Sequence, residues 1–199
     1  IGLSGPNAAA QLEKIIGPGK HEVDASRTHN GITVIRLPGG SPRYMLLGSV
    51  AALQPVWQQL AGQVTPVGAH AWRWLDIQAG LPTILPGTVE EFVPQMANLE
   101  LVGGVSFKKG CYPGQEIVAR MHYLGRLKQR MVGAHVQNAA RPLPGTPVYA
   151  ADFPGQSAGK VVDAQPAPSG GYDLLAVVQT SSIEKADIHL GDPQGPALQ

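Results

Sequence analysis

The spacing of apolar and polar residues predicts alternating helices and strands in the first part of the chain. Apolar residues recur at helical intervals over residues 6–16, about 50–61 and 69–80, and a glycine follows or ends each run. Two apolar runs at 32–37 and 44–47 flank a turn rich in glycine and proline, which is typical of a β-hairpin. We therefore expect an α+β region in which helices cover one face of an antiparallel sheet.

The pattern becomes irregular over residues 81–101 and changes character after Gly125. The irregular segment contains several prolines and predicts a long loop of the kind that often carries function. After Gly125, short apolar runs alternate with turn sequences, which favours a small β-barrel. The expected strands are 131–136, 147–149, 159–162, 172–178 and 187–190.

These patterns predict two domains and a tail. Residues 1–125 form the α+β region, and residues 126–190 form the C-terminal β-barrel. Residues 191–199 contain two prolines and two glycines without an apolar pattern, so we expect a loose tail. The chain begins at Ile1 without a methionine, which suggests that it is a fragment of a longer protein.

The composition narrows the classes of function. Of the 199 residues, 43% are hydrophobic and 15% are charged, which is ordinary for a globular protein. A net charge of +1 gives no general attraction to nucleic acid or membranes. No apolar run approaches the ~18 residues of a membrane span, so we expect a cytoplasmic protein without membrane contact. The six histidines are scattered, so no metal site is predicted.

Cys111 is the only cysteine, and it lies in a predicted turn between a strand at 105–107 and a helix. Because the chain has a single cysteine, it can form neither an internal disulfide nor an iron–sulfur site built from its own cysteines alone. Gly110 and Gly114 allow a tight turn, and Pro113 suits the first position of the helix. We therefore expect the sulfur to lie at a helix N-terminus.

A thiol in that position should be reactive. The helix dipole favours a thiolate, and the positive charges of Lys108 and Lys109 add to this effect, whereas Glu116 opposes it. The alternative is that Cys111 is a small buried core residue. His122 follows too far along the same helix to act as its general base, so any base must come from elsewhere.

The motif at 109–116, KGCYPGQE, resembles the K-G-C-Y-x-G-Q-E signature of the YgfZ family. That family consists of folate-binding proteins related in fold to the aminomethyltransferase (T-protein) of the glycine cleavage system. Segments 92–99, 103–108 and 118–120 are also similar, so that the resemblance covers nearly the whole chain. It implies the later part of a ferredoxin-like folate-binding region followed by a β-barrel.

The resemblance also implies a site for tetrahydrofolate. The segment 77–82 matches a family stretch, I-E-A-G-x-P, that follows a tryptophan lying against the folate, and Trp72 stands at the matching offset. We therefore expect the indole ring of Trp72 to form one wall of the folate site. The alternative is that Trp72 is a core residue. Gln78 replaces a glutamate that is frequent in the family, and its amide could still accept a hydrogen bond. From the motif itself, Tyr112, Gln115 and Glu116 are expected at the folate.

The implied function is that of an accessory protein in iron–sulfur cluster assembly or repair, and thereby in tRNA modification. Cys111 would act as the thiolate beside Lys109, and the expected partners are folate and iron–sulfur enzymes or cluster carriers. One alternative is an aminomethyltransferase that moves a one-carbon unit to tetrahydrofolate and does not need the cysteine. Another is a tRNA-binding module using Arg126, Lys128 and Arg130, although the near-neutral net charge argues against direct tRNA binding.

Overall fold

The computed structural model describes residues 1–19, 21–185 and 187–199. The chain forms two compact units, residues 1–75 and 76–199, and each has its own antiparallel sheet. The domain boundary predicted near residue 125 falls inside the second unit. None of the helices in the described part of the chain has both the length and the apolar character that a membrane crossing requires.

The first unit is a four-stranded antiparallel sheet with helices, as the α+β prediction required. Its strands, in the spatial order β1-β4-β3-β2, are β1 (Gly2–Ser4), β4 (Arg43–Gly48), β3 (Ile32–Leu37) and β2 (Ser26–His29). The helices are α1 (Ala8–Ile16), α2 (Val50–Leu60) and α3 (Ala69–Gln78), the last of which continues into the second unit. The predicted hairpin and all three helices are confirmed, whereas the ferredoxin-like arrangement stays a prediction.

The core of this unit follows from the apolar periodicity. Leu12 and Ile16, one turn apart on α1, are buried together with Val34 and Leu46 of the hairpin. The pattern missed two strands, β1 and β2. β1 has only three residues, and all residues of β2 are exposed, so neither carries a recognisable alternation of apolar and polar positions.

The second unit contains all five predicted strands, in the spatial order β5-β8-β7-β6-β9. They are β5 (Gln129–Val136), β6 (Pro147–Ala150), β7 (Gly159–Pro166), β8 (Tyr172–Gln179) and β9 (Ile188–Leu190). A 3₁₀ helix (Pro86–Thr88), α4 (Gln115–Leu124) and the short α5 (Thr180–Ile183) complete the unit. The central strands β7 and β8 are buried along most of their length, because apolar side chains cover both faces.

The prediction of a loose tail at 191–199 is wrong. The side chain of Leu198 is buried in the core of the five-stranded sheet. Its backbone N–H donates to the carbonyl of Ile188 in β9 at 2.8 Å, and Gln199 exchanges two backbone hydrogen bonds of 2.8 and 2.9 Å with His135 in β5. The tail thus bridges the two edge strands of a curled sheet. A single buried apolar residue was too weak a signal to reveal this.

Replacing Leu198 with alanine should lower the free energy of unfolding by about 2–3 kcal/mol, because it leaves a cavity in the core. The measurement is urea-induced unfolding followed by circular dichroism. Gln194→Ala, in the exposed part of the same segment, is the matched control and should change the free energy by less than about 0.5 kcal/mol. Equal effects of the two substitutions would contradict the anchoring role of Leu198.

Candidate functional site

The segment before the cysteine motif is irregular, and the strand predicted at 105–107 is absent. Gly103 takes a positive φ of 74°, which bends the chain ahead of the apolar residues. The backbone N–H of Lys108 donates to the Oγ of Ser106 at 3.3 Å, a local hydrogen bond that is typical of loops. Phe107 packs on helix residues from within a loop, so its apolar character does not indicate a strand.

Helix α4 begins two residues later than expected. Gly114 is its N-cap, with a φ of 80° in the left-handed region that favours glycine. Pro113 therefore precedes the helix and does not occupy its first position. The backbone N–H of Tyr112 donates to the Oε1 of Gln115 at 3.1 Å, so that Gln115 fixes the turn before the helix. Gly110 has no positive φ, and an added Cβ there would meet no atom within 4 Å, so its predicted turn role has no steric basis.

Cys111 is a free and exposed thiol. The alternative of a buried core cysteine is therefore wrong. The residue lies three positions before the N-cap Gly114, outside the helix whose N-terminus was expected to hold the sulfur. The ammonium of Lys109 lies 4.6 Å from the ring centroid of Tyr112, in a cation–π contact. The structure thus pairs Lys109 with an aromatic ring, and its action on the thiol stays a prediction.

Two packing contacts, which the sequence did not reveal, hold the helix in place. The buried Gln95 donates from Nε2 to the carbonyl of Val118 at 2.6 Å, which ties the long loop to α4. The ring of Phe107 stacks on the imidazole of His122 with centroids 4.0 Å apart, and both rings meet Tyr123 edge to face. These contacts attach the segment before Cys111 to the helix after it.

A cleft of about 430 Å³ lies against the motif and α4. Its walls combine three aromatic rings, one cation, one carboxylate and an amide. The lining residues are Ser106, Phe107, Lys109, Tyr112, Gln115, Glu116, Ala119 and Tyr123. Flat apolar walls with a few polar groups suit a planar ligand whose edge forms hydrogen bonds.

The structure brings together three of the five residues predicted to contact folate, namely Tyr112, Gln115 and Glu116. The predicted catalytic residue Lys109 joins them in the cleft, whereas Cys111 follows in the chain without lining it. Gln78 is not among the lining residues either. Its Nε2 donates to the Oδ2 of Asp173 at 3.0 Å, so the side chain forms a hydrogen bond within the protein that the sequence did not predict.

Trp72 lies in the first unit and has close internal neighbours. A Cβ added to Gly2 would lie 2.6 Å from two carbons of the indole ring, so that β1 passes directly against it. The guanidinium of the buried Arg43 lies 4.7 Å from the ring centroid. These contacts favour the core interpretation of Trp72, and its role as a folate wall stays a prediction.

Asp173 also belongs to a polar chain that sequence reasoning missed. Its Oδ1 lies 2.7 Å from the Nδ1 of His135, and the two residues face each other across β5 and β8. The Nε2 of His135 is in turn 3.1 Å from the amide nitrogen of Gln137. Residues so far apart in the sequence gave no signal before the strand register was known.

The basic stretch after α4 is partly used within the protein. Arg130 donates to the Oδ1 of Asn98 at 3.0 Å and pairs with the Oε1 of Glu100 at 3.2 Å. A guanidinium held in this way is poorly placed to bind a phosphate. Of the three residues considered for an RNA-binding surface, Arg130 is therefore a weak candidate. Arg126 and Lys128 are exposed.

Comparison with known proteins found similar sequences and a similar fold. No model of a protein family matches the chain. A curated relative, the "tRNA-modifying protein YgfZ" of Colwellia psychrerythraea, is 38% identical over 99 residues, which is 50% of this chain and 30% of the relative. The predicted resemblance to YgfZ is confirmed. The matched segment represents less than a third of that YgfZ protein's length.

The fold of this YgfZ-like chain is similar to that of a solved structure. It is the glycine cleavage system aminomethyltransferase T from Bartonella henselae, with a TM-score of 0.69 and 17% identity. The match covers 98% of this chain and 55% of that protein. The YgfZ-like chain therefore spans about half the length of that structure, and at this identity the likeness concerns the fold alone.

Proposed function

We propose that this chain belongs to a folate-binding accessory protein that acts in iron–sulfur cluster assembly or repair, and thereby in tRNA modification. The observation that carries the proposal is the position of Cys111, an exposed thiol directly followed by residues that line an aromatic and polar cleft. The name of the YgfZ relative supports the connection to tRNA modification. The fold shared with an aminomethyltransferase supports a folate ligand.

The residues of the cleft fit tetrahydrofolate chemically. The carboxylate of Glu116 can accept hydrogen bonds from the amino group and ring N–H of a pterin. The rings of Tyr112 and Tyr123 offer faces for stacking, and the ammonium of Lys109 can pair with a carboxylate of the ligand's glutamate part. When bound, tetrahydrofolate supplies a carrier for one-carbon units. Residues 1–125 would then be the later part of a ferredoxin-like folate-binding region.

The exposure of the thiol bears on its role. Because Cys111 does not line the cleft, its sulfur is open to a second protein. We therefore favour reaction with a partner in trans over capture of a one-carbon unit from the folate. In cluster ligation, the thiol would give its proton to solvent and donate an electron pair to an iron atom that an iron–sulfur carrier brings.

Glu116→Gln should weaken the binding of tetrahydrofolate at least about tenfold, because a charge-assisted hydrogen bond becomes a neutral one. Isothermal titration calorimetry measures the affinity. Glu184→Gln, an exposed substitution outside the cleft, is the control and should leave the affinity unchanged. Cys111→Ala should also bind normally. The absence of saturable binding to the natural protein, or equal affinities for both glutamate variants, would reject this folate site.

An aminomethyltransferase is the alternative function, favoured by the TM-score of 0.69 to such an enzyme. It would move a one-carbon unit to tetrahydrofolate without using the cysteine. The activity of a Cys111 variant therefore distinguishes the two functions. The cluster-related function predicts that the variant is inactive, and the aminomethyltransferase function predicts that it stays active.

A further inference from the structure

Helix α4 carries an apolar stripe on its solvent side, next to the cysteine motif. Its one buried residue is Val118. Ile117, the half-buried Met121 and Leu124 recur at i, i+4 and i+7, so they share one face, and Ile117 and Leu124 are 63% and 84% exposed. The helix residues that line the motif cleft lie on the neighbouring face, namely Gln115, Glu116, Ala119 and Tyr123. A contiguous apolar stripe in contact with water is typical of a protein–protein contact.

The stripe lies in a strongly basic part of the chain. Residues 101–128 contain five basic residues and one acidic residue, Glu116, so the segment carries a net charge of +4 whereas the whole chain carries +1. All five basic side chains are exposed, and none of them forms an ion pair with another described residue. They are Lys108, Lys109, Arg120, Arg126 and Lys128. The apolar stripe therefore has a positively charged rim.

The neighbouring elements add few opposing charges. The long loop before the motif contacts α4 through a buried hydrogen bond and contains three glutamates, two of which pair with Lys160 and Arg130. The short helix α5 begins beside Lys128 and is followed by Glu184. The exposed acidic residues left over in these two elements are Glu90 and Glu184. Counting both still leaves a net charge of +2 on this part of the surface.

The exposed thiol of Cys111 lies close enough to belong to the same contact. Six residues along the chain separate it from Ile117, so their Cα atoms are no more than about 22 Å apart. Ile117 and Leu124 are about 10 Å apart along the helix axis. An ordinary protein–protein interface covers about 800 Å² of each partner, which is a patch roughly 30 Å across. One partner can therefore cover the stripe and reach the sulfur.

We propose that this face of α4 docks a protein partner whose contact surface has an apolar centre and an acidic rim, and that this partner is the one that meets Cys111. The proposal rests on the function proposed above, in which the thiol reacts in trans. The aliphatic side chains favour a protein over RNA, because they gain from burial against apolar groups and offer nothing to a phosphate. Acidic groups around the apolar centre would speed association and fix its orientation.

The first test removes the apolar centre from the full protein. Ile117→Gln/Leu124→Gln changes only exposed side chains. Its tetrahydrofolate affinity and its rate of alkylation at Cys111 by iodoacetamide should therefore stay within about twofold of the natural protein. In a bacterial strain that lacks its YgfZ protein, modified tRNA at equal protein level should fall at least about fivefold, because two central contacts are lost.

Val50→Gln/Trp57→Gln is the matched control. Both residues are more than half exposed and lie seven positions apart on α2, as Ile117 and Leu124 do on α4. This pair should retain activity. Equal losses in the two pairs, or full activity of the α4 pair in a strain where Cys111→Ala is inactive, would overturn the docking surface alone. Activity of Cys111→Ala would instead reject the proposed function, and the docking surface with it.

The second test concerns the charge and class of the partner. Arg120→Glu/Arg126→Glu should lose as much activity as the apolar variant, whereas Arg120→Lys/Arg126→Lys preserves the charge and should remain active. The photoreactive residue p-benzoylphenylalanine in place of Leu124 should crosslink, in cells, to a protein segment with more acidic than basic residues. Crosslinks to RNA, to a basic segment or to the protein's own chain would each overturn the proposal, as would the absence of any crosslink.

Discussion

Replacing Cys111 with alanine should abolish the contribution to tRNA modification that we propose for the full protein and leave its thermal stability unchanged. The thiol is exposed and fills no space in either core, so its removal should shift the melting temperature by less than about 2 °C. No other cysteine in the chain can substitute for it. The measurement is complementation of a bacterial strain that lacks its YgfZ protein, with modified tRNA quantified by mass spectrometry. We expect the variant to match the empty vector.

Cys111→Ser is the matched control, because it preserves size and hydrogen bonding but has no nucleophilic sulfur. It should be as inactive as the alanine variant. Full activity of the serine variant would show that thiol chemistry is not required. Full activity of the alanine variant would favour the aminomethyltransferase alternative, and a large loss of stability would show that the residue is structural.

Arg43→Ala should lower the free energy of unfolding of the first unit by about 3–5 kcal/mol. The side chain is 1% exposed, and its Nη1 donates to the carbonyls of Pro38 at 3.2 Å and Leu75 at 2.9 Å. Alanine would leave both carbonyls without this donor and remove the cation from the ring of Trp72. Urea-induced unfolding followed by tryptophan fluorescence measures the effect.

Two further arginine variants serve as controls for the effect of Arg43→Ala. Arg27 is exposed and donates to one carbonyl, that of Pro18 at 3.0 Å, so Arg27→Ala should change the free energy of unfolding by less than about 1 kcal/mol. Arg43→Lys preserves the charge but loses the planar fork, and it should be intermediate. If Arg43→Ala costs no more than Arg27→Ala, the buried guanidinium does not organise the unit.

The sequence predicted those parts of the fold in which burial follows a regular period. Leu12 and Ile16 lie one helical turn apart, and Val34 and Leu46 belong to the two apolar runs of the hairpin; all four are buried. Prediction failed where buried residues do not recur at a regular spacing along the sequence. The exposed strand β2 has no apolar face, and Phe107 packs on helix residues from within a loop.

The site was predictable to the extent that it is contiguous in the chain. Tyr112, Gln115 and Glu116 lie within one motif, so that a resemblance over eight residues sufficed to group them. The stacking of Phe107 on His122 depends on how the chain returns on itself, which no local pattern encodes. The contacts of Trp72 with residues from two distant strands were hidden for the same reason.

The bridge that the C-terminal residues form between β5 and β9 also has a consequence for aggregation. Without residues 196–199, the outer backbone groups of both strands would lose the partners that cover them. Uncovered edges of this kind pair readily with strands of other molecules. During synthesis, both edges stay uncovered until residues 196–199 have been made and have reached the sheet, and until then the nascent chain is open to this pairing. Detachment of these four residues from the sheet would therefore expose both edges to intermolecular sheet formation.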